Sequence, residues 1–296
     1  EMPALVSKTM QLFETKTIRH GNMLVGKSLS GKSTAWRVLA KTITALHARR
    51  APSVAGAPWQ PVETMPMNPK SLTVDELYGS YDAATKEWRD GALAAMIRRA
   101  CAAAAEGGEK WVIMDGPVDT LWVESMNSLL DDNKLLTLVN QDRIQLPPNV
   151  SLMFEVEDLK AASPATVSRC GMVYMESGLV SWRAYLASWV QLKVAAMEEM
   201  RESSKDASLV GKAASSKAAQ RKTLFTKDAT DLLTRLVDKY VAPILAGFAG
   251  FARDSEGEML RLSEPVPTSP LHKAMSLARI FDATATLAGG VDHQEE

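Results

Sequence analysis

Eight residues near the start of the chain, Gly26-Lys27-Ser28-Leu29-Ser30-Gly31-Lys32-Ser33, have the spacing of a phosphate cradle. Glycines let backbone N–H groups turn inward around an anion, and a helix beginning at the end of the loop adds the positive end of its dipole. In such a cradle Lys32 brings a point charge to the outer phosphates of a nucleotide, and Ser33 brings a hydroxyl to Mg²⁺. The candidate nucleotide-contacting segment runs from Gly26 through Lys27, Ser28, Leu29, Ser30, Gly31, Lys32 and Ser33 to Thr34. The alternative is a Gly/Ser turn that merely precedes a helix, and the surrounding sequence decides between them.

The second chemical element is Asp115, which closes the apolar run Trp111-Val112-Ile113-Met114. A carboxylate at the carboxyl end of a buried strand is placed to hold Mg²⁺ through water, so Ser33 and Asp115 are the candidate metal residues. Hydrolytic sites of this type follow the aspartate with a glutamate that orients the attacking water. Here Gly116 and Pro117 follow, and glycine has no group to take a proton or polarise water. Asp119 is a conceivable replacement, but it stands past the proline and ahead of a helical run, where aspartate caps a helix.

The elements that must position these groups are legible from periodicity. Leu5 to Phe13 has helical spacing, Asn22 to Val25 is a short buried strand running into the glycine loop, and Ser33 to Leu46 returns to helix. Arg50 to Pro61 reads as loop. Strands are predicted at Thr64–Met67, Trp111–Met114 and Ser151–Val156, and helices at Leu72–Tyr78, Gly91–Ala105 and Leu121–Leu130. Thr73 with Glu76 forms a capping-box pattern, and Gly107-Gly108 ends the Gly91–Ala105 helix. Lys134–Leu138 and Arg143–Leu146 flank a polar Asn140-Gln141-Asp142 tip and predict a hairpin. Thr166 to Arg169 closes this half. Alternating strands and helices imply an α/β fold with a mostly parallel sheet covered on both faces. Beyond Val180 no strand-like run is expected, only helices at Trp182–Glu199, Asp228–Ala252 and Leu271–Leu287, with a flexible Ser/Ala/Lys insertion over Ser203–Lys222. The expected organisation is an αβ subdomain over 1–177 and a helical subdomain over 178–296.

The bulk numbers fit this picture. The chain has 296 residues, 46% hydrophobic and 23% charged, the composition of an ordinary globular protein. A formal net charge of −1 gives no electrostatic reason to expect nucleic acid, and no apolar run is long enough to span a membrane. Neither is therefore expected as a partner. Two cysteines, Cys101 and Cys170, read as reduced packing residues. The start at Glu1, directly into a helical pattern, reads as a module of a longer polypeptide.

With these residues placed, the sequence resembles the second AAA+ module of a dynein heavy chain motor. The resemblance is carried by Phe13 to Gly21, the glycine loop with Thr34-Ala35-Trp36, Asn68-Pro69-Lys70, Leu77-Tyr78-Gly79 and Glu87 to Gly91. It continues through Asp115-Gly116-Pro117-Val118-Asp119, Leu130 to Lys134, Phe154 to Leu159 and Ala162 to Tyr174. The wording of Asp115 to Asp119, with Trp122, is similar to axonemal chains, of inner-arm type. The resemblance implies an AAA+ P-loop fold, a parallel αβα sandwich followed by a small helical lid. It implies a ring in which the first module does the main hydrolysis while the second holds ATP with Mg²⁺ and turns over little. It also implies, as partners, neighbouring modules of the same chain, a swinging linker, intermediate and light chains, and microtubules reached through distant parts. The location implied is the cytoskeleton of the cytoplasm, in the axoneme of a cilium or flagellum.

Three further roles follow from the resemblance. Glu155 stands at the tip of its strand where active sites place a polar sensor; a carboxylate there is repulsive to phosphate unless paired or protonated, and the alternative is a Glu155–arginine pair pointing away. Arg169 matches the arginine finger that reaches the preceding module, the alternative being an interface or surface salt bridge. The hairpin at Lys134–Leu146 and the stretch around Asn68–Arg89 are inserts that face the linker. Rival readings are an independently hydrolysing ATPase with Glu155 or Asp119 as base, a P-loop kinase, and a scaffold with an empty pocket. A kinase needs an arginine-rich lid that the helical half lacks, and intact Lys32, Ser33 and Asp115 argue against the scaffold.

Overall fold

The chain up to Tyr174 alternates helix and strand in the order α1 (Pro3–Ile18), β1 (Gly21–Val25), α2 (Lys32–Ala48), β2 (Val62–Met67), α3 (Val74–Tyr78), β3 (Gly79–Tyr81), β4 (Trp88–Asp90), α4 (Ala92–Ala105) and β5 (Glu109–Asp115). There follow α5 (Thr120–Val123), α6 (Asn127–Leu130), β6 (Leu135–Thr137), β7 (Arg143–Gln145), β8 (Val150–Val156), α7 (Pro164–Arg169) and β9 (Gly171–Tyr174). The structure is a computed structural model that describes residues 3–53, 58–207, 231, 234–248, 252–253, 259–260 and 268–287. It divides into two units, Met2–Leu179 and Val180–Glu296.

In the first unit five strands form one sheet in the order β2-β5-β8-β1-β9, and every pair is parallel. Strands buried on both faces favour apolar residues, and all seven residues of β8 are buried, Ser151 and Glu155 included. Alternation along the strands sends Met23, Val112, Met114, Leu152 and Phe154 into one core, with Leu93 and Ile97 of α4 and with Trp122 and Leu129. Their neighbours Leu24, Ile113 and Met153, each fully buried, point to the opposite face. Glu155 also faces that side and meets α2.

The sheet contains a strand that the sequence reading did not assign. β9 pairs with β1 from Asn22↔Gly171 to Val25↔Tyr174 and forms one edge. It is four residues long with Met172 and Tyr174 exposed, so it lacks the continuous burial of β8. The predicted helix Leu121–Leu130 is two short helices joined by a 3₁₀ turn at Glu124–Met126. Ser125, Asn127 and Ser128 are weak helix formers, and the Asn127 side chain accepts a hydrogen bond from Thr166 on α7 at 2.9 Å.

Two hairpins extend from this unit. The predicted β6–β7 hairpin is present, from Leu135↔Gln145 to Thr137↔Arg143. A second, β3–β4, follows the capped helix α3, whose Thr73–Glu76 capping box is formed on both sides. Its tip is turned by Asp82, which accepts from Ala84 N and Thr85 N, and its Tyr81 and Trp88 rings meet edge to face at 5.3 Å. Arg98 of α4 donates to Asp90 on β4 and to Asp142 on the other hairpin, tying the two together. Cys101 and Cys170 are both free thiols, and burial pushes the Cys170 thiol up to about 12, so it stays protonated at neutral pH.

In the second unit the helix Trp182–Ala207 runs beyond the predicted end at Glu199, so Ser203–Ala207 of the expected insertion are helical. The rest of that insertion lies outside the described residues, as do parts of the helix expected over Asp228–Ala252. What is described there is a π-helical turn, Val237–Val241, then Ala242–Phe248. Two short strands, Ala252–Arg253 and Met259–Leu260, pair antiparallel where no strand was expected; two residues each leave no periodicity to read. The helix Pro270–Leu287 packs Ala274 and Ala278 on Leu186, with the Trp189 and Phe281 rings edge to face at 5.5 Å.

Phe154 tests the first core directly. It is fully buried at the centre of the sheet and stacks on Trp122 at 6.2 Å. Phe154→Ala is expected to lower unfolding stability by about 3–5 kcal/mol, read as a lower denaturant midpoint at unchanged slope.

Candidate nucleotide-binding site

The glycine loop leaves β1 under tight backbone constraint. Gly26 N donates to the Val156 carbonyl at 3.0 Å, and Met175 N donates to the Val25 carbonyl at 2.7 Å. A Cβ on Gly26 would lie 2.2 Å from the Met175 carbonyl oxygen, so the first glycine is required by space. Leu29 at φ 65° and Gly31 at φ 94° then turn the loop through the left-handed region. Gly31 is the N-cap of the 17-residue helix α2 and offers no side chain to its first N–H groups. Those donors and the helix dipole are open to an anion.

Two side chains of the loop fit the same ligand. Lys32 Nζ arches back to donate to the Gly26 carbonyl at 2.5 Å and the Lys27 carbonyl at 2.9 Å. Burial pushes its pKa below the ordinary lysine value, against the opposing pull of Glu155, Glu157 and Asp115; a bound polyanion would stabilise the charged form. Ser30 is 1% exposed, and its hydroxyl has no hydrogen-bond partner among the described residues. A buried hydroxyl without a partner is costly, and a phosphate oxygen is one way to satisfy it. Thr34 is exposed on the first turn of α2.

Asp115 is exposed at the carboxyl end of β5, directly in register with Glu155 on β8. Glu155 is 4% exposed, and among the described residues its partners are Ser33 and Trp36 rather than an arginine. Its Oε2 accepts from Ser33 Oγ at 2.5 Å and its Oε1 accepts from Trp36 Nε1, so it points toward α2. The carboxylate is thus paired by two neutral donors of the loop helix, an arrangement the sequence reading did not anticipate. Trp36, three residues after Ser33, was the available signal.

Gly116 lacks more than a functional group. A Cβ there would lie 2.7 Å from Asn68 Oδ1, and that oxygen caps the 3₁₀ turn Pro69–Ser71 by accepting from Lys70 N at 3.0 Å. A side chain at this position would have to displace the Asn68 amide from its cap. Asp119 caps α5, accepting from Leu121 N at 3.0 Å, and its other oxygen pairs with Lys70 Nζ at 2.6 Å. The Lys70 ammonium and the Leu121 amide hold its carboxyl below the usual range, which makes it a poor proton acceptor. Arg169, at the end of α7, donates from Nε to Asp131 Oδ1 at 2.5 Å and from Nη1 to the Ala165 carbonyl at 2.8 Å. Its hydrogen bonds do not run to the glycine loop.

A glycine loop between the buried strand β1 and a helix, on a parallel sheet with an aspartate at the end of a strand two places away, defines a P-loop NTPase fold. The chain belongs to the AAA domain family, dynein-related subfamily, which matches residues 21–170, from the first residue of β1 to Cys170. It is 41% identical over 290 residues to the Dynein-1-beta heavy chain of the flagellar inner arm I1 complex of Chlamydomonas reinhardtii, covering 98% of this chain and 6% of that one. It is 38% identical to Dynein axonemal heavy chain 2 of Mus musculus over 290 residues, 98% of this chain and 5% of that one. Against Dynein axonemal heavy chain 2 of Homo sapiens it is 50% identical over 189 residues, 64% of this chain and 4% of that one. The chain therefore spans only about 4–6% of the length of these relatives.

The Gly116–Asn68 contact makes a measurable claim. Gly116→Ala is expected to cost about 1–3 kcal/mol through overpacking. Asn68→Ala costs about 1 kcal/mol by itself through the lost cap. Because Asn68→Ala removes the obstructing oxygen, the double variant should be more stable than the sum of the two losses predicts, as measured in a denaturant double-mutant cycle.

Proposed function

We propose that this chain is a nucleotide-holding AAA+ module, the second of a dynein-type motor ring, that binds Mg-ATP tightly and hydrolyses it little or not at all. The observation that carries this reading is the pairing of an intact cradle with a glycine after Asp115 whose Cβ position is crowded by the Asn68 cap. Gly26 to Thr34 would hold the phosphates, Lys32 would bear on their outer charge, and Ser33 with Asp115 would hold the cation. Bound Mg-ATP would supply the polyanion and divalent charge that these donors and carboxylates are arranged to meet. The rival reading of an independent ATPase is disfavoured because both oxygens of Glu155 and both of Asp119 already accept hydrogen bonds.

The unit Val180–Glu296 is, in this reading, the small helical subdomain of the module, and the β3–β4 and β6–β7 hairpins face the motor linker. The parent protein is a minus-end-directed microtubule motor of the axoneme, of inner-arm type, that drives ciliary beating. The axonemal and flagellar names of the relatives support that assignment. Its partners are the neighbouring modules, intermediate and light chains, and microtubules reached through other parts of the chain. Arg169 serves in trans as an arginine finger on the preceding module, with Asp131 holding its Nε edge.

Two measurements test the two roles. Saturating ATP at a thousand times Kd stabilises a folded binder by about 4 kcal/mol, and that gain should vanish in Lys32→Ala. A Lys32→Ala melting curve that still rises with ATP as the wild type does would sink the holding role. Arg169→Ala should leave this pocket's ATP affinity intact and depress the preceding module's ATPase by roughly a thousandfold. Arg169→Lys should not restore it fully, because an ammonium lacks the guanidinium fork. Normal microtubule-stimulated turnover in Arg169→Ala would reduce Arg169 to an interface residue.

A further inference from the structure

Glu155 occupies a place that neither the glycine loop nor the sheet requires. It is 4% exposed, its Oε2 lies 2.5 Å from Ser33 Oγ, and its Oε1 accepts from Trp36 Nε1. Ser33 and Trp36 are three apart on α2 and so share a face. The carboxylate thereby bridges the first turn of that helix to the end of β8. In this pair the Ser33 hydroxyl donates and Oε2 accepts. A hydroxyl has one proton and two acceptor lone pairs, and its rotor is otherwise free. With the proton turned to Oε2, both lone pairs of Ser33 face away from Glu155. A cation needs a lone pair from Ser33 and is repelled by its proton.

We propose that Glu155 is a positioning residue for the cation: it fixes the rotor of the Ser33 hydroxyl so that Ser33 is a pre-oriented Mg²⁺ ligand. The site then favours metal-loaded over metal-free nucleotide. This rests on the nucleotide reading above. Partners that hold a metal ligand's proton raise that ligand's basicity and fix its orientation. Trp36 contributes by occupying Oε1, which keeps the carboxylate on the helix side. Two donors on one buried charge also meet part of its desolvation cost. The register partner Asp115 places a second carboxylate at the same edge of the sheet, which adds to the preference for a divalent cation.

The test uses the 296-residue chain and measures ATP affinity by displacement of a fluorescent nucleotide, once with Mg²⁺ and once with EDTA. The wild type should bind ATP more tightly with Mg²⁺. Glu155→Gln keeps the shape but offers one acceptor to two donors, and should lose about tenfold of that metal preference while its affinity in EDTA is retained. Because Glu155 acts through Ser33, Ser33→Ala with Glu155→Gln should lose no more preference than Ser33→Ala alone. A purely structural role would weaken both affinities together and add to Ser33→Ala, which overturns the proposal. If Glu155→Gln does not fold, the smaller Glu155→Asn is measured instead with the same expected loss. ATP binding in the wild type with unchanged metal preference in the variant sinks this inference alone. No ATP binding in the wild type, with or without metal, sinks the nucleotide reading as well.

Discussion

The parallel register of β5, β8 and β1 is the constraint on which the site depends. Parallel strands end at the same edge, so Asp115, Glu155 and Leu24 stand side by side across three strands. The glycine loop springs from that edge one residue after Val25, and its first amide is fixed to the Val156 carbonyl. Shifting one strand by a residue would turn Asp115 or Glu155 to the other face. The apolar faces of Val112, Met114, Leu152 and Phe154 resist that shift because each would leave its core. Hydrophobic burial on one face therefore aims the polar chemistry on the other.

Much of this was legible in the sequence because two strong signals coincide there. The strands β5 and β8 carry the apolar runs Trp111-Val112-Ile113-Met114 and Leu152-Met153-Phe154, and the loop Gly26–Ser33 has a spacing tied to its mechanism. The capping box at Thr73 and the β6–β7 hairpin were equally readable, since local chemistry alone fixes them. What was not legible depended on partners distant in sequence. β9 is a strand because β1 offers it an edge, not because its four residues insist on one. The break within Leu121–Leu130 owes as much to Thr166 binding Asn127 as to local propensity. The partners of Glu155 lie 122 and 119 residues away, beyond any window of periodicity.

The same limit explains Gly116. Sequence shows that a carboxylate is missing after Asp115, but not that its space is filled. Asn68 reaches that space because β2 pairs in parallel with β5, from Val62↔Glu109 to Met67↔Met114. The residue after each strand then sits beside the other. Asn68 caps the following turn through the oxygen that crowds Gly116, so one side chain serves turn formation and closure together. Any side chain introduced at Gly116 would have to displace that cap.

Glu155 raises the opposite problem, a charge where burial is expensive. A buried carboxylate without partners is driven to neutralise, and its apolar replacement would be the simpler core. Both oxygens are instead satisfied by donors from one helix, and those donors, Ser33 and Trp36, stand two and five residues after Gly31 turns the loop. Satisfying the charge and fixing the orientation of the helix's first turn are then one event. Losing either donor leaves a buried oxygen unpaired, which penalises any rotation of α2 about its first turn. The carboxylate thereby ties the start of α2 to the end of β8.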